Sequence, residues 1–290
     1  MGLIAVTGAS GFVGRHLVGY LHGRGLRVCA LVRDPQGSRD LAQWCQAGVY
    51  RCDLPSDIDP RAFAEPVDLL IHCAYTTRAG DPRLARQVNV DGTAALLDVA
   101  LKRGLRRVCF ISSLSARAGA LSLYGQTKFE IENRLDPARD AILRLGLVVG
   151  NGGLFARMRQ SVRDNRIVPL FYGGNQVVQT LFIDDLCAVV GRVVDRNLAG
   201  LNSVAEEQGV TLRTLLETLA RRDASRCRFV VLPAAPVYAA LWTAERLGLR
   251  LPLSTDNLLG LRQMRQVDVR ADLERIGVPI RSFLESLEAL

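Results

Sequence analysis

The chain has 290 residues, of which 49% are hydrophobic and 23% are charged, a balance that excludes a disordered protein. Its formal net charge of +8 is compatible with anionic small molecules, but its lysines and arginines form no patch with interleaved aromatic residues, so we expect no nucleic-acid partner. The seven cysteines include no C-x-x-C pair and no histidine has metal-ligand spacing, which predicts no metal site, no disulfide framework and a cytoplasmic location.

The first half of the chain alternates between short apolar runs and segments with helical spacing of apolar residues. In chain order this pattern predicts a strand at 2–6, a helix at 12–23, a strand at 28–32, a polar helix near 38–47, a strand at 68–73, a long helix near 83–102, a strand at 108–112, a helix at 124–135 and a strand at 141–145. Strands and helices that alternate in this way predict a parallel sheet with right-handed crossovers. The expected fold is therefore α/β, a Rossmann-type doubly wound parallel sheet whose ligands bind beyond the carboxyl ends of the strands.

The alternation ends near residue 150, where glycine-rich turns begin. A strand at 180–183 is predicted to lead into a helix at 184–194, with Asp184 as its N-cap. The remaining residues, 205–290, contain several short amphipathic helical patterns. We therefore predict a dinucleotide-binding domain over 1–150, to which about 180–203 returns, and a smaller, mostly helical substrate domain over 151–290.

The longest uncharged stretch runs from 229 to 244 and contains Pro233 and Pro236. It is short for a membrane-spanning helix, so we expect no membrane span. We interpret the stretch as packed in the core or along a cleft, and contact with a membrane is the alternative.

A glycine-rich turn follows the first predicted strand, in the sequence Thr7-Gly8-Ala9-Ser10-Gly11-Phe12-Val13-Gly14. Glycines at this spacing permit a tight turn, close approach of a pyrophosphate to the backbone, and packing of the next helix on the sheet. The amino terminus of that helix offers N–H groups to the phosphates. We therefore predict that a dinucleotide binds here, at Gly8, Ser10, Gly11, Phe12, Val13 and Gly14.

The end of the second strand bears on the choice between NAD(H) and NADP(H). Arg33 is placed to bind a 2′-phosphate through its guanidinium, whereas the adjacent Asp34 is a carboxylate of the kind that binds a ribose 2′-hydroxyl. Arg33 favours NADP(H), and NAD(H) stays possible because of Asp34. Asp53, after the third strand and beside Leu54, is a candidate both for binding the adenine and for capping a turn.

Tyr124 and Lys128 are four residues apart on a predicted helix, so their side chains share one face. A nearby ammonium group favours the phenolate and should lower the pKa of Tyr124, which would then exchange a proton with a carbonyl or carbinol oxygen. Ser113 ends the preceding strand and is placed to hydrogen-bond the same oxygen, with Ser112 and Ser115 as competing candidates.

Further motifs join these two, namely His72-Cys73-Ala74-Tyr75, Asn89-Val90-Asp91-Gly92-Thr93, Ser112-Ser113 and Leu181-Phe182-Ile183-Asp184-Asp185-Leu186. As a set, they resemble the short-chain dehydrogenase/reductase superfamily in its extended, epimerase/dehydratase-like branch, over residues 1–195. The resemblance implies that Ser113, Tyr124 and Lys128 are catalytic and that Asn89 supports the active-site water and helix geometry. It also places Cys73, Ala74, Tyr75 and Lys128 at the cofactor, and it implies a homodimer formed by the two long helices.

The sequence departs from the pattern of that branch in several places. Arg144-Leu145 stands where many members have Arg-Pro, and Val149-Gly150-Asn151 stands where many have Tyr-Gly-Pro. Tyr75 replaces a usual alanine, and the segment between Ser113 and Tyr124 is short. These differences bear on the shape of the substrate more than on hydride transfer, because the proton-transfer residues remain.

The resemblance implies an NADP(H)-dependent oxidoreductase that reduces a keto group of a nucleotide-linked sugar, or epimerises that sugar. Acidic residues are missing after Ser113, which disfavours dehydration. Two alternatives stay open. One is a reductase of a non-sugar carbonyl, and the other is a cofactor-binding regulatory or assembly protein without catalysis.

Overall fold

The computed structural model describes residues 2–77, 81–249, 251 and 253–290. Its strands are β1 (Leu3–Thr7), β2 (Val28–Val32), β3 (Val49–Asp53), β4 (Asp57–Ile58), β5 (Val67–His72), β6 (Arg107–Ser113), β7 (Ala141–Leu145), β8 (Leu147–Val149), β9 (Ile167–Phe171), β10 (Val177–Val178), β11 (Thr180–Phe182), β12 (Gly200–Val204), β13 (Val210–Thr211) and β14 (Arg228–Leu232). Its α-helices are α1 (Phe12–Gly23), α2 (Pro82–Arg86), α3 (Gly92–Lys102), α4 (Leu123–Glu132), α5 (Gly153–Asp164), α6 (Ile183–Arg196), α7 (Leu212–Arg222), α8 (Ala234–Arg246), α9 (Thr255–Gln263), α10 (Arg270–Ile276) and α11 (Phe283–Glu288).

In the part of the chain described, the main sheet has eight strands in the order β12-β7-β6-β5-β1-β2-β3-β4. Neighbouring strands are parallel except for β3 and β4. From β1 the order runs through β2 and β3 in one direction and through β5, β6 and β7 in the other. This reversal opens a crevice beyond the carboxyl ends of β1 and β5, where doubly wound sheets bind ligands. The predicted fold class is confirmed.

The sheet is covered on both faces, which explains why its central strands are mostly apolar. Successive residues of β1 alternate between two buried clusters, with Ile4 and Val6 in one and Leu3 and Ala5 in the other. The first cluster includes residues of α1 and α6, and these two helices pack against each other. The second cluster includes residues of α3 and the side chain of Ile131 from α4. The sheet therefore holds α1 and α4 in place from opposite faces.

Several predicted elements differ from the structure. The helix predicted near 38–47 is only a 3-10 turn at Arg39–Gln43, and the long helix near 83–102 contains a π-helical turn at Gln87–Asp91. Asp184 is not the N-cap of α6, because the helix begins one residue earlier and Phe182 occupies the cap position.

The second half of the chain also contains strands that the sequence pattern did not predict. β12 pairs with β7 at the edge of the main sheet, while β9 and β14 form a separate parallel pair. Within the residues described, no helix is both long enough and apolar enough to cross a membrane.

The interpretation of 229–244 as core or cleft packing is wrong for most of its side chains. This stretch forms most of β14 and α8, in which Leu241 alone is fully buried. Val231 is 52% exposed and Trp242 is 45% exposed. Several apolar side chains of this stretch therefore face solvent, and core packing does not account for them.

Candidate active site

The turn between β1 and α1 can be built only with glycine at two positions. Gly8 has φ +63°, and a Cβ there would lie 2.8 Å from the amide nitrogen of Ala74. A Cβ at Gly14 would overlap the carbonyl group of Gly8. The Gly11 amide closes the turn by donating to the Gly8 carbonyl oxygen at 2.9 Å. The turn therefore lies flat against the end of β5.

The amino terminus of α1 faces the crevice with unsatisfied backbone donors. Gly11 is its N-cap and offers no side-chain acceptor. Among the residues described, the amides of Phe12, Val13 and Gly14 have no backbone acceptor, whereas the Arg15 amide donates to the Gly11 carbonyl. The hydroxyl-bearing Ser10 is exposed beside them. These donors and the helix dipole fit the pyrophosphate of a dinucleotide. The Phe12 ring packs on the glycines at 150 and 152, so this residue offers its amide rather than its side chain.

Arg33 and Asp34 follow β2 and differ in the contacts that their side chains make. The Asp34 carboxylate accepts hydrogen bonds from the amides of Gln36 and Gly37, both at 3.0 Å, and so holds a local turn. Arg33 is exposed and makes no ion pair with any residue described. The Arg33 guanidinium and the second oxygen of the Asp34 carboxylate are therefore both exposed at the end of β2.

Asp53 is the last residue of β3, and its carboxylate lies 3.8 Å from the guanidinium of Arg51. The following residue, Leu54, packs closely against Gly92 at the start of α3. Both residues therefore lie at the same sheet edge as the glycine turn, as predicted from the sequence.

A buried hydrogen-bond chain crosses the crevice floor through His72, the last residue of β5. The Thr93 hydroxyl donates to the Asn89 carbonyl oxygen, so it must accept its second bond, at 2.9 Å, from Nε2–H of His72. Burial lowers the pKa of His72 to about 3, so the ring is neutral and its Nδ1 accepts from the Thr7 hydroxyl at 2.7 Å. Thr7 in turn accepts from the Ala74 amide at 3.1 Å. The chain thereby ties the glycine turn to β5 and α3.

Asn89 is buried in the π-helical turn before α3, and its side chain binds a loop. Its Oδ1 accepts from the Thr76 amide at 2.8 Å, and its Nδ2 donates to the Thr76 carbonyl oxygen at 3.0 Å. Both polar ends of the amide are therefore used to hold the chain after Tyr75. This arrangement agrees with a supporting role for Asn89 rather than with contact to a reacting group.

The structure brings Ser113 and Tyr124 together and separates Ser112 from them. The side chain of Ser112 points to the opposite side of β6 and donates to Glu132. Ser113 lies near enough to the Tyr124 phenol to favour its charged form, and the Ser113 hydroxyl oxygen accepts from the Ser115 amide at 3.2 Å. Of the three serines considered, Ser113 is therefore the one whose hydroxyl lies at the phenol.

Lys128 does not act on Tyr124 in the way the sequence predicted. Its Nζ donates to the Ile111 carbonyl oxygen at 2.6 Å and lies 4.4 Å from the centroid of the Tyr75 ring. Burial lowers the pKa of Lys128 to about 7. Burial also raises the pKa of Tyr124, and the nearby Ser113 hydroxyl offsets this only in part. The predicted lowering of the Tyr124 pKa is therefore wrong for this structure, and at neutral pH the phenol keeps its proton.

Cys73, Ala74 and Tyr75 come directly after β5, and Tyr75 packs against α4. The Tyr75 hydroxyl hydrogen-bonds the Thr127 hydroxyl at 2.6 Å, and its ring meets that of Tyr124 edge-on with centroids 5.2 Å apart. Burial raises the pKa values of the Tyr75 phenol and of the Cys73 thiol, so both stay neutral. Tyr75 therefore forms an aromatic wall beside Tyr124 and Lys128.

The sequence reasoning missed a buried ion pair beneath the site. Glu132, one turn after Lys128, is 5% exposed and accepts a bidentate hydrogen bond from Arg144 of β7, with N–O distances of 3.0 and 2.6 Å. Ser112 supplies a further donor to the same carboxylate. The only signal available was that Arg144 is a charged residue within an apolar strand.

Helix α9 covers the amino terminus of α4. The Asp256 carboxylate accepts from the Leu123 amide, and the Gln263 side chain accepts from the Leu121 amide at 2.6 Å. Arg117, in the segment before α4, donates to the Gln263 carbonyl oxygen at 2.8 Å. Residues far apart in the sequence thus close one side of the crevice next to Tyr124.

The fold and the glycine turn define a dinucleotide-binding enzyme, and comparison with known proteins gives its family. Residues 4–205 match the model of the NAD dependent epimerase/dehydratase family. The chain belongs to this family and is an NAD(P)-dependent enzyme.

Individual relatives show the range of the family. A ceramide reductase of Caulobacter vibrioides is 29% identical over 82% of this chain and 76% of its own length. A putative UDP-glucose 4-epimerase of Methanocaldococcus jannaschii is 25% identical over 69% of this chain and 73% of its own. Among solved structures, the fold is similar to that of a UDP-glucose 4-epimerase from Stenotrophomonas maltophila with bound NAD and a formylated UDP-arabinopyranose. The TM-score is 0.73 and the identity 18%, over 99% of this chain and 95% of the other.

Proposed function

We propose that this protein is an NADP(H)-dependent oxidoreductase that reduces a keto group of a nucleotide-linked sugar, with Tyr124 as the proton donor. One observation carries the proposal. A protonated phenol, close to Ser113 and one helical turn from Lys128, lies at the sheet edge that also holds the glycine turn. Epimerisation uses the same groups and differs in that the cofactor stays bound between two hydride transfers.

Each residue has a defined task in this proposal. The bound dinucleotide supplies the hydride. The raised pKa of Tyr124 keeps its proton in place until negative charge develops on the substrate oxygen, which then receives it. Ser113 donates a hydrogen bond to that oxygen and fixes its position. Lys128, whose pKa burial lowers to about 7, is assigned to the cofactor rather than to the phenol, because its ammonium group donates to the Ile111 carbonyl.

Two features support a substrate that carries phosphate. The family includes an epimerase relative whose name specifies a UDP-sugar. Near the amino terminus of α4, burial lowers the pKa of Arg117, and the positive charge of Arg265 adds to that lowering. A diphosphate between these guanidinium groups would relieve the repulsion between them.

The second candidate function is reduction of a carbonyl on an apolar, non-sugar molecule. One relative that matches over most of this chain is named a ceramide reductase, and that name specifies a lipid substrate. The apolar residues of α8 pack through Leu241 onto Leu258 of α9, the helix that covers the site. Because Tyr124, Ser113 and Lys128 are all retained, a cofactor-binding protein without catalysis is the least supported alternative.

A substrate panel tests the proposal. Purified enzyme and NADPH are mixed separately with a nucleotide-linked 4-keto sugar, a ketone on a long acyl chain and a small ketone, and the loss of NADPH absorbance is followed. We expect the nucleotide-linked sugar to give the highest kcat/KM, by about a hundredfold over the small ketone, because binding energy of remote groups supports catalysis. Preference for the long-chain ketone would select the second candidate. Absence of oxidation with every ketone would contradict an oxidoreductase.

Replacing Arg33 tests the choice of cofactor. We expect Arg33→Ala to raise the KM for NADPH by about tenfold to a hundredfold, because one charge-assisted contact to the 2′-phosphate is lost. The KM for NADH should stay unchanged, since NADH lacks that phosphate. Arg61→Ala, an exposed arginine paired with Asp59, is the matched control and should alter neither value. Equal KM values for NADPH and NADH in the unmodified enzyme would contradict the proposed preference.

A further inference from the structure

The segment formed by β14 and α8 exposes apolar side chains to solvent. We call it the apolar surface and define it by four exposed side chains of α8 and the turn after it, namely Tyr238, Trp242, Leu247 and Leu249. Leu247 is 72% exposed and Leu249 is 57% exposed. They are held in place, since the amides of both residues donate to the Ala244 carbonyl oxygen. Exposed apolar side chains that are this ordered and this contiguous in the chain mark an interaction surface.

The apolar surface is not the lining of the active-site crevice. α8 turns Leu241 inward, where it packs with Phe171 and Leu258. Tyr238 and Trp242 point away from that cluster into solvent. The helix is thus apolar on both sides. A helix whose outer face is exposed to water normally has polar residues on that face.

Within the sequence that forms β14 and α8, most of the charged residues are arginines. Between residues 224 and 249 the arginines are Arg226, Arg228 and Arg246, and Glu245 is the only acidic residue. The Glu245 carboxylate is used to accept two hydrogen bonds from Thr255. The Arg246 guanidinium lies 4.2 Å from the centroid of the Trp242 ring, so a cation and an aromatic ring stand together at the edge of the surface.

We propose that the apolar surface docks on an anionic lipid bilayer, with Trp242 and the two leucines in the interface and the arginines at the phosphate headgroups. Tryptophan, tyrosine and arginine at the edge of an apolar helix face are the composition of interfacial membrane helices. A second copy of the chain fits less well, because a two-fold contact would bring the same arginines of both copies together. A bilayer with negative lipids attracts all of them.

The apolar surface lies close to the active site. α8 packs on α9, and α9 binds the amino terminus of α4 through Asp256 and Leu123. The crevice beside Tyr124 is therefore separated from the apolar surface by one helix. The proposal concerns attachment only and stands whether the substrate is a sugar nucleotide or a lipid.

Vesicle flotation tests the proposal with the full chain and no substrate. Vesicles of phosphatidylcholine alone are compared with vesicles that also contain phosphatidylglycerol. We expect the protein to float with the anionic vesicles and to bind them about tenfold more tightly than the neutral ones, with the difference shrinking at high salt. The chain has two tryptophans, so in a Trp44→Phe background the emission of Trp242 should shift to the blue on binding.

Two sets of variants assign the contact. Trp242→Ser with Leu247→Ser and Leu249→Ser should lower vesicle binding by about tenfold, and Arg226→Gln with Arg228→Gln should abolish the preference for anionic lipid. The matched controls are Leu284→Ser, an equally exposed leucine, and the pair Lys102→Gln with Arg103→Gln, and these should bind as the unmodified protein does. No flotation with anionic vesicles would overturn the proposal. So would a dimer in light scattering that the triple variant dissociates without any vesicle binding.

Discussion

Replacement of Tyr124 by phenylalanine is expected to lower kcat by about a thousandfold, within the range attributed to general acid catalysis. The variant keeps the ring that packs edge-on against Tyr75 and removes only the hydroxyl group. The substrate oxygen then has no proton donor of matched strength, although hydride donor and substrate are still held together. Steady-state kinetics with NADPH and the preferred ketone give kcat, and NADPH fluorescence titration gives the cofactor affinity, which should not change.

Tyr75→Phe is the control for this experiment, because the two phenols are neighbours. Its hydroxyl bonds Thr127 and has no partner at Ser113, so the loss should leave kcat within about threefold, as for a hydrogen bond remote from the reacting atom. Full turnover in Tyr124→Phe would remove Tyr124 from the mechanism. Loss of turnover in Tyr75→Phe alone would move the acid to Tyr75.

Replacement of Arg144 by leucine is expected to lower the free energy of unfolding by about 3–5 kcal/mol, the cost of leaving a buried carboxylate without its partner. Glu132 is almost fully buried between α4 and β7, so water cannot take over the bonds of the guanidinium. Urea denaturation followed by circular dichroism measures the loss. The effect should be large because Glu132 is packed between α4 and the sheet and stays buried when its partner is removed.

The double variant Glu132→Leu with Arg144→Leu separates loss of the pair from loss of packing. It removes both charges and should recover most of the lost stability, since an apolar pair of similar volume often replaces a buried ion pair without cost. Ser112 then loses its acceptor, which limits the recovery to within about 1–2 kcal/mol of the unmodified protein. If the double variant were less stable than Arg144→Leu alone, the unpaired charge would not be the cause.

The first 150 residues were predictable because their two kinds of periodicity are strong. β2 is apolar at all five positions and β1 at four of its five, and strands of this kind are typical of a sheet covered on both faces. The glycine turn was also predictable, because its steric requirement at Gly8 and Gly14 excludes other residues.

The second half of the chain was less predictable because its elements depend on distant partners. β14 pairs with β9, and neither strand has the alternation that would identify it alone. The helix predicted near 38–47 is a 3-10 turn, in which Leu41 is the one residue with a buried side chain. Exposure of the 229–244 stretch could not be read from its composition, since composition does not distinguish a buried apolar helix from one that meets a partner.

The pKa shifts of the site residues could not be predicted from the sequence for a similar reason. The spacing of Tyr124 and Lys128 gives a shared helix face but does not tell which acceptor the ammonium reaches. In the structure that acceptor is the Ile111 carbonyl, and desolvation then dominates the pKa values of both side chains. Glu132 was missed because its partner Arg144 comes from another strand.

The direction of the hydrogen bonds through His72 determines whether this chain of residues can transfer a proton. Its donors all point the same way, from the Ala74 amide through Thr7, His72 and Thr93 to the Asn89 carbonyl. The two ends are a backbone amide and a backbone carbonyl, which neither release nor accept a proton at physiological pH. A proton that entered this chain could not leave it, so the imidazole cannot act as a relay. The chain through His72 therefore holds the glycine turn, β5 and α3 together and does not carry protons.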